Sequence, residues 1–509
     1  MLSWGRTPSA EATGSQARTP RTLVLCFDGT SNQFDGENTN VVKFYSLLKK
    51  DDSTQQQLCY YQPGVGTYFN PGVVSPLFQW CAKILDEAFA WYLDEHVRQG
   101  YQFLMQNWTP GDKICIFGFS RGAYTARALA GILHKIGLLP KDNLEQIPFA
   151  YNLYKKTDEA SISLAAGFKQ SFCREVQIEF VGVWETVSST GVIMSRTLPF
   201  TTTNATIKTF RQALSLDEHR VKFLPNLYHR TATPSDGPTS SIKPKALRQK
   251  SLNAFVGKFP KAARKNATTT EKPKVRAEPV DLEAAAAAAP PSHTSAEDAS
   301  AEAADVVGPA PRDVADAGAC DVLEVWFAGC HSDVGGGSVS SDTVHSLANI
   351  PLFWMVHQVV LAQCGIEFDS AALARVGIPE AVLAPPGSTV VPAPRRTRLD
   401  SEAPTLPVKD RDAAGNSTGP MADALQPIFD QLQIDKAWWL LEAIPLTYSA
   451  QDADGTWVTK WWFPGHYGQG RQLPAAPKFH VSVKTRMEDP TLEYVPRAVW
   501  TAGTETYVE

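Results

Sequence analysis

Ser120 stands in the run Gly118-Phe119-Ser120-Arg121-Gly122, with a glycine two residues to either side. A serine hydroxyl is a weak nucleophile at neutral pH, so chemistry at Ser120 needs a histidine base and a carboxylate to orient it. Two sets of partners are open. In the first, His331, from His331-Ser332-Asp333-Val334-Gly335-Gly336-Gly337, is the base and Glu185, from Gly182-Val183-Trp184-Glu185-Thr186-Val187, is the acid; this keeps the chain order serine, acid, histidine. In the second, His480 near the C-terminus is the base and Asp333 the acid. The first is favoured, because the glycines beyond His331 let an imidazole turn toward the serine. Either set would attack an acyl carbonyl through a covalent acyl intermediate.

Such a reaction needs two N–H donors where negative charge develops on oxygen. Arg121, following the nucleophile, is the first candidate, and Gly29 or Thr30 from Phe27-Asp28-Gly29-Thr30 the second. Asp28 is expected to hold that loop through side-chain hydrogen bonds, and Arg127 to pair with a carboxylate. The same four residues resemble the Asp-x-Asp-Gly-Thr pattern of aspartate-nucleophile phosphatases, but Cys26 occupies the nucleophile position. No cluster with recognised metal-ligand spacing is present, and no metal or cofactor is expected.

The elements that must position these residues read as strands with polar ends. Lys113–Phe117 is a short β-favouring run after Pro110-Gly111-Asp112, and Ala123, Ala126 and Ala130 give a small-residue helical face after the serine. The glycines permit a sharp strand-to-helix turn in which the serine takes a strained backbone. Arg21–Phe27, Val176–Val183 and Glu324–Phe327 are three more apolar runs, ending in Asp28, in Glu185 and in the His331 segment. Open parallel sheets carry their chemistry beyond the strand carboxyl ends, so the pattern predicts an α/β hydrolase-like, mostly parallel sheet flanked by helices. Asn40–Leu48 and Trp80–Asn107 read as helices, and Tyr60–Thr67 as a strand entering a glycine loop. Leu347–Ile366, interrupted by Asn349, Pro351, His357, Gln358 and Gln363, reads as a core helix and not as a membrane span.

The 509 residues divide by composition into a disordered leader (1–20), a first core segment (21–232), a disordered low-complexity insertion (233–318), a second core segment (319–383), a polar Pro-rich linker (384–420) and a Trp-rich C-terminal extension (421–509). The leader lacks the apolar core of a secretory signal, which favours a cytoplasmic protein. The basic first half of the insertion, with Leu247, Leu252, Phe255 and Phe259 among its lysines and arginines, is a candidate for peripheral contact with an anionic membrane. A net charge of −5 gives no general reason to expect nucleic acid as a partner. The eight cysteines contain no C-x-x-C pair, which fits a reducing compartment.

Six blocks, in order, resemble the DUF2235 family, which includes the Tle1-like phospholipase effectors of bacterial type VI secretion. They are Phe27–Thr30, Gly64–Thr67, Gly118–Arg127, Gly182–Val187, Leu214–Pro225 and His331–Gly337. The resemblance implies Ser120 as nucleophile and His331 as base. It puts the acid at Glu185, where the family usually has aspartate. It also implies ester hydrolysis, with a phospholipid or other lipid ester as substrate. The glutamate and the long insertion motivate an alternative: a hydrolase-fold binding or scaffolding protein with weak chemistry. The sequence leaves acyl chain, headgroup and oligomeric state open.

Overall fold

The computed structural model describes residues 20–30, 32–50, 56–64, 78–187, 204–228, 320–378, 420–443, 446–451, 457–463 and 465–509, with the backbone alone at 78–92, 420, 446–451 and 457–461. The 1–19 part of the leader, the insertion, most of the linker and Val65-Gly66-Thr67 therefore lie outside the described residues.

The first half of the chain runs β1 (Thr22–Phe27), α1 (Asn40–Leu47), β2 (Gln57–Gln62), α2 (Phe78–Asn107), β3 (Lys113–Phe119), α3 (Arg121–Lys135), α4 (Ile147–Lys155), α5 (Glu159–Phe172), β4 (Ile178–Trp184) and β5 (Ile207–Ser215). Then come β6 (Asp321–Phe327), α6 (His331–Gly335), α7 (Asn349–Ala362), α8 (Ser370–Arg375), α9 (Pro420–Ala424), α10 (Gln431–Ile434) and α11 (Trp439–Glu442). The hairpin β7 (Leu446–Gln451) and β8 (Trp457–Trp462), β9 (Lys478–His480), α12 (Val481–Glu488) and β10 (Thr506–Val508) complete the order.

Eight strands form one sheet in the order β10-β9-β6-β5-β4-β3-β1-β2, and every pairing is parallel. Among the described residues β7 and β8 form a separate antiparallel pair. The expected fold class is thus the observed one. The apolar runs are continuous because both sheet faces are covered. Leu23, Leu25, Phe27, Ile114, Ile116, Val181 and Val183 pack with residues of α2 to α5 on one face. Val24, Cys26, Cys115, Phe117, Phe180 and Val325 pack with residues of α1, α7 and α8 on the other. Alternating side chains along one strand therefore feed two separate cores.

Several details depart from the sequence reading. β3 continues two residues past Phe117, through Gly118 to Phe119, so the turn falls at the serine itself. β5 was not foreseen, because Lys208, Thr209, Arg211, Gln212 and Ser215 break its apolar pattern. Arg211 and Gln212 are nevertheless buried, with Arg211 bonded to Gln358 and Asp321, and Gln212 to Glu324. Two strands from the C-terminal part, β9 and β10, extend the same sheet, and Trp326 of β6 pairs with Phe479 of β9. The expected core helix occupies Asn349–Ala362 and ends with Gln363 in the left-handed conformation. No helix among the described residues is long and apolar enough to cross a membrane.

The glycines around the serine answer to space. A Cβ on Gly122 would lie 2.2 Å from the Phe27 carbonyl oxygen and 2.4 Å from that of Asp28, and one on Gly118 would lie 2.4 Å from the Gly122 oxygen. All three are backbone atoms, so α3 could not seat against the end of β1 if either glycine carried a side chain. Gly122→Ala is expected to cost about 3 kcal/mol of folding stability in urea denaturation. The exposed Gly167 of α5 has nothing within 4 Å of a built Cβ; Gly167→Ala is expected to stabilise by roughly 0.5–1 kcal/mol in the same measurement.

Candidate active site

Ser120 is the N-cap of α3, with φ 56° and ψ −119°. That conformation is unfavourable for a residue with a Cβ. Its N–H donates to the Trp184 carbonyl at 3.0 Å, which ties the turn to the end of β4. Glu185 is the next residue of that strand end, and its φ is also positive, at 50°. Its N–H in turn donates to Ala213 of β5 at 2.8 Å. The parallel register thus sets the ends of β3, β4 and β5 side by side.

His331 arrives from β6. Gly329, at φ 107°, turns the chain, and a Cβ there would lie 2.4 Å from that of Asp333. Cys330 then caps the short α6, whose first residue is His331. His331 Nε2 lies 2.9 Å from Ser120 Oγ, and its Nδ1 lies 2.9 Å from Glu185 Oε2. An ionised carboxylate only accepts, so Nδ1 carries the proton and Nε2 is left to accept from the serine hydroxyl. The rings of Phe119 and Phe223 lie 4.8 Å from the imidazole, and Trp438 meets Phe223 edge to face at 5.6 Å.

Glu185 is wholly buried, and its carboxylate is surrounded by donors. Oε1 accepts from the Ser215 N–H at 2.6 Å and from Arg471 Nη1 at 2.7 Å; Oε2 accepts from Arg471 Nη2 at 2.8 Å as well as from His331. Burial pushes this carboxyl up, but the Arg471 cation and the bonds from His331 and Arg471 outweigh it and hold the group below its ordinary 4.5. For His331 the balance runs the other way. Burial disfavours the imidazolium more than Glu185 and Glu218 favour it, so its pKa lies below 6.5.

A second carboxylate supports the histidine from behind. Glu218 Oε2 accepts the His331 N–H at 3.2 Å and pairs with Arg220 Nη2 at 2.7 Å. Burial raises Glu218, yet the Arg220 bonds bring it down to about 2. The Arg220 guanidinium also lies 3.6 Å from the Phe223 ring centre and 4.8 Å from that of Trp438. The ring wall beside His331 is thereby clamped to the turn after β5.

The remaining sequence candidates fall elsewhere or take other roles. Asp28 accepts from the Gly29 N–H at 2.7 Å, Thr39 Oγ1 at 2.8 Å and the Tyr61 hydroxyl at 2.7 Å, and burial lifts its pKa to about 6 against those three donors. The expectation that Gly29 offers its amide to an oxyanion is corrected by that bond: the N–H is directed at Asp28. Thr30 Oγ1 accepts from Arg121 Nη1 at 2.9 Å. Asp333 and His480 are not brought together. Asp333 Oδ2 takes the Cys330 and Phe429 N–H groups, while burial raises its pKa to about 7. His480 caps α12 by accepting from the Ser482 N–H, stacks on Phe327 at 4.9 Å, and is pushed by burial down to about 4. Arg127 is buried on the carbonyls of Asn226 and Leu227, with Glu324 near enough to favour its charge. Among the described residues no group of histidines, cysteines and carboxylates is arranged to hold a metal ion.

Sequence reasoning missed Glu218, Arg220 and Arg471. The first two sit in Ser215-Leu216-Asp217-Glu218-His219-Arg220, a charged run directly after an apolar Leu, which was a readable signal of another strand end. Arg471 lies in Gly468-Gln469-Gly470-Arg471-Gln472 and looks like any solvent loop.

The family model described as the T6SS phospholipase effector Tle1-like catalytic domain matches residues 21–358. An uncharacterized protein of Saccharomyces cerevisiae, YEL023C, is 27% identical over 557 residues, covering 93% of this chain and 80% of its own. A crystal structure of an uncharacterized protein from Pseudomonas aeruginosa is similar at 17% identity and a TM-score of 0.34, over 72% of this chain and 50% of that one. The Tle1 effector, solved bound to the VgrG spike of the type VI secretion system, is similar at 18% identity and a TM-score of 0.23, over 43% of this chain and 51% of its own. The chain spans about half the length of each of these two solved chains. With the matched segment covering both the Ser120 turn and the His331 turn, the chain belongs to the Tle1-like phospholipase effector catalytic-domain family.

Proposed function

We propose that the protein is a serine hydrolase of carboxylic esters, with a phospholipid or related lipid ester as substrate. The observation that carries the reading is the continuous relay from Ser120 Oγ through His331 to Glu185, with both contacts at 2.9 Å. Family membership supplies the lipid substrate class. The ring of Phe223 beside the histidine, with Trp438 edge to face on it, suits an acyl chain. In this reading residues 21–232 and 319–383 form the catalytic core and 421–509 complete it.

Ser120 Oγ attacks the ester carbonyl carbon while His331 Nε2 takes the hydroxyl proton. The carbonyl π pair moves onto oxygen, where the N–H groups of Arg121 and Thr30 are the candidate donors, Gly29 being committed to Asp28. The pair returns as the C–O bond to the leaving group breaks, and His331 gives its proton to the departing alkoxide. Water then repeats the sequence on the acyl-enzyme and frees the carboxylic acid. Glu185 keeps the Nδ1 proton in place and stabilises the transient imidazolium. Its 2.9 Å contact with His331 supports glutamate as the orienting acid here, and so supports the hydrolase reading over the weak-chemistry alternative.

A fluorophosphonate is expected to label Ser120: the Oγ–P bond forms, P–F breaks, fluoride leaves and His331 takes the hydroxyl proton. Folded protein that is neither labelled nor active on any ester would sink the proposal. Ser120→Ala is expected to lower fatty-acid release from phosphatidylcholine vesicles by roughly 10⁶-fold. His331 must be neutral to act as base and its pKa lies below 6.5, so kcat/KM should rise with pH through a midpoint below 6.5 and be near its plateau at pH 7.5. A midpoint above 7 would contradict the role given to His331. Glu185→Asp withdraws the carboxylate from Nδ1 by roughly an ångström and should slow labelling by about 10²-fold.

A further inference from the structure

We infer that Arg471, from the C-terminal part of the chain beyond the family-matched residues, is a positioning residue whose guanidinium fork holds Glu185 in the orientation that presents Oε2 to His331. The inference rests on the reading of Ser120, His331 and Glu185 as the reacting relay.

The geometry is that of two parallel hydrogen bonds. Nη1 reaches Oε1 at 2.7 Å and Nη2 reaches Oε2 at 2.8 Å, so the planes of guanidinium and carboxylate are locked to each other. The fork is itself anchored, since Nη1 also donates to the Ser215 carbonyl at 3.0 Å and Nη2 to the Phe223 carbonyl at 2.5 Å. Ser215 and Phe223 flank the site on β5 and beside the imidazole. Nε is buried without a hydrogen-bond partner among the described residues, so the side chain is placed by its two terminal nitrogens.

The backbone delivers Arg471 with little freedom. Gly470, just before it, lies so close to Arg497 that a Cβ would sit 1.8 Å from the Arg497 oxygen. The Arg471 carbonyl accepts from the Val499 N–H at 2.8 Å, and Ala498 donates to Leu216, the residue after Ser215, at 2.9 Å. The guanidinium is thus tied to the same strand end that supplies a third donor to Glu185.

Glutamate has one more rotatable bond than the aspartate usual at this position, so its carboxylate has more orientations to lose. His331 and Ser215 each hold one oxygen; among the described residues only Arg471 holds both. A cation that merely offset the buried charge need not be forked, which is where arginine and lysine part.

Labelling of Ser120 by a fluorophosphonate, followed against pH, reads the relay without a known substrate. Arg471→Lys keeps the charge and loses the fork; the labelling rate is expected to fall by about 10²-fold with the acid limb unmoved. Arg471→Ala loses both. The charged groups facing the Glu185–His331 pair are Arg471, Glu218 and Arg220, the neighbouring Cys330 thiol being kept neutral by burial. Removing Arg471 raises the proton affinity of the pair, so the acid limb should move to higher pH, and added guanidinium below denaturing concentrations should restore both rate and midpoint. A wild-type rate in folded Arg471→Lys overturns the inference, as does unfolding of both variants, which would assign Arg471 to stability alone. Absence of labelling in the wild type would instead overturn the functional reading itself and take the inference with it.

Discussion

A carboxylate with no exposed surface must be surrounded by donors or lose its charge, and Glu185 is such a group. Stripping water from one carboxylate and one guanidinium costs several kcal/mol each, which only well-made hydrogen bonds offset. The donors to Glu185 come from three places far apart in the chain: Ser215 at the end of β5, His331 after β6 and Arg471 in the C-terminal part. Satisfying that one group therefore fixes where three strand ends and a late loop must meet. The Ser120 contact follows from it, because the imidazole held at Nδ1 by Glu185 has its Nε2 aimed at the hydroxyl.

The same carboxyl edge concentrates backbone strain. Ser120 and Glu185 both take positive φ at the ends of neighbouring strands, each at a position where a side chain makes that costly. What holds them is the sheet. The N–H of each is bonded to a carbonyl of the next strand, Ser120 to Trp184 and Glu185 to Ala213. Gly118 and Gly122 remove the Cβ atoms that would push α3 off β1. Strain at Ser120 and Glu185 is thus balanced by regular hydrogen bonding just behind them.

Legibility in the sequence followed hydropathy. β1, β3, β4 and β6 are apolar runs; the first three stop directly before Asp28, Ser120 and Glu185, and β6 stops at Phe327 just short of the turn that carries His331, so their polar ends pointed to those residues. β5 was hidden because its polar residues are buried in pairs, as Gln212 is with Glu324, and a pair looks in sequence like two exposed residues. β9 and β10 are three residues each, too short for an alternating pattern. Asp333 and His480 have the residue types of acid and base, but Asp333 accepts amides at the start of α6 and His480 caps a helix, uses to which type alone is blind. Arg471 carried no local signal because its partner lies 286 residues away.

That separation orders events in time. A ribosome releases Ser120, Glu185 and His331 long before Arg471 exists, and throughout that interval Glu185 lacks the cation that meets it in the finished fold. A nascent or prematurely terminated chain therefore carries Ser120, His331 and Glu185 without the guanidinium that meets Glu185 in the finished fold. Chain order itself thus postpones the full set of donors to Glu185 until the last segment of the sheet has been made.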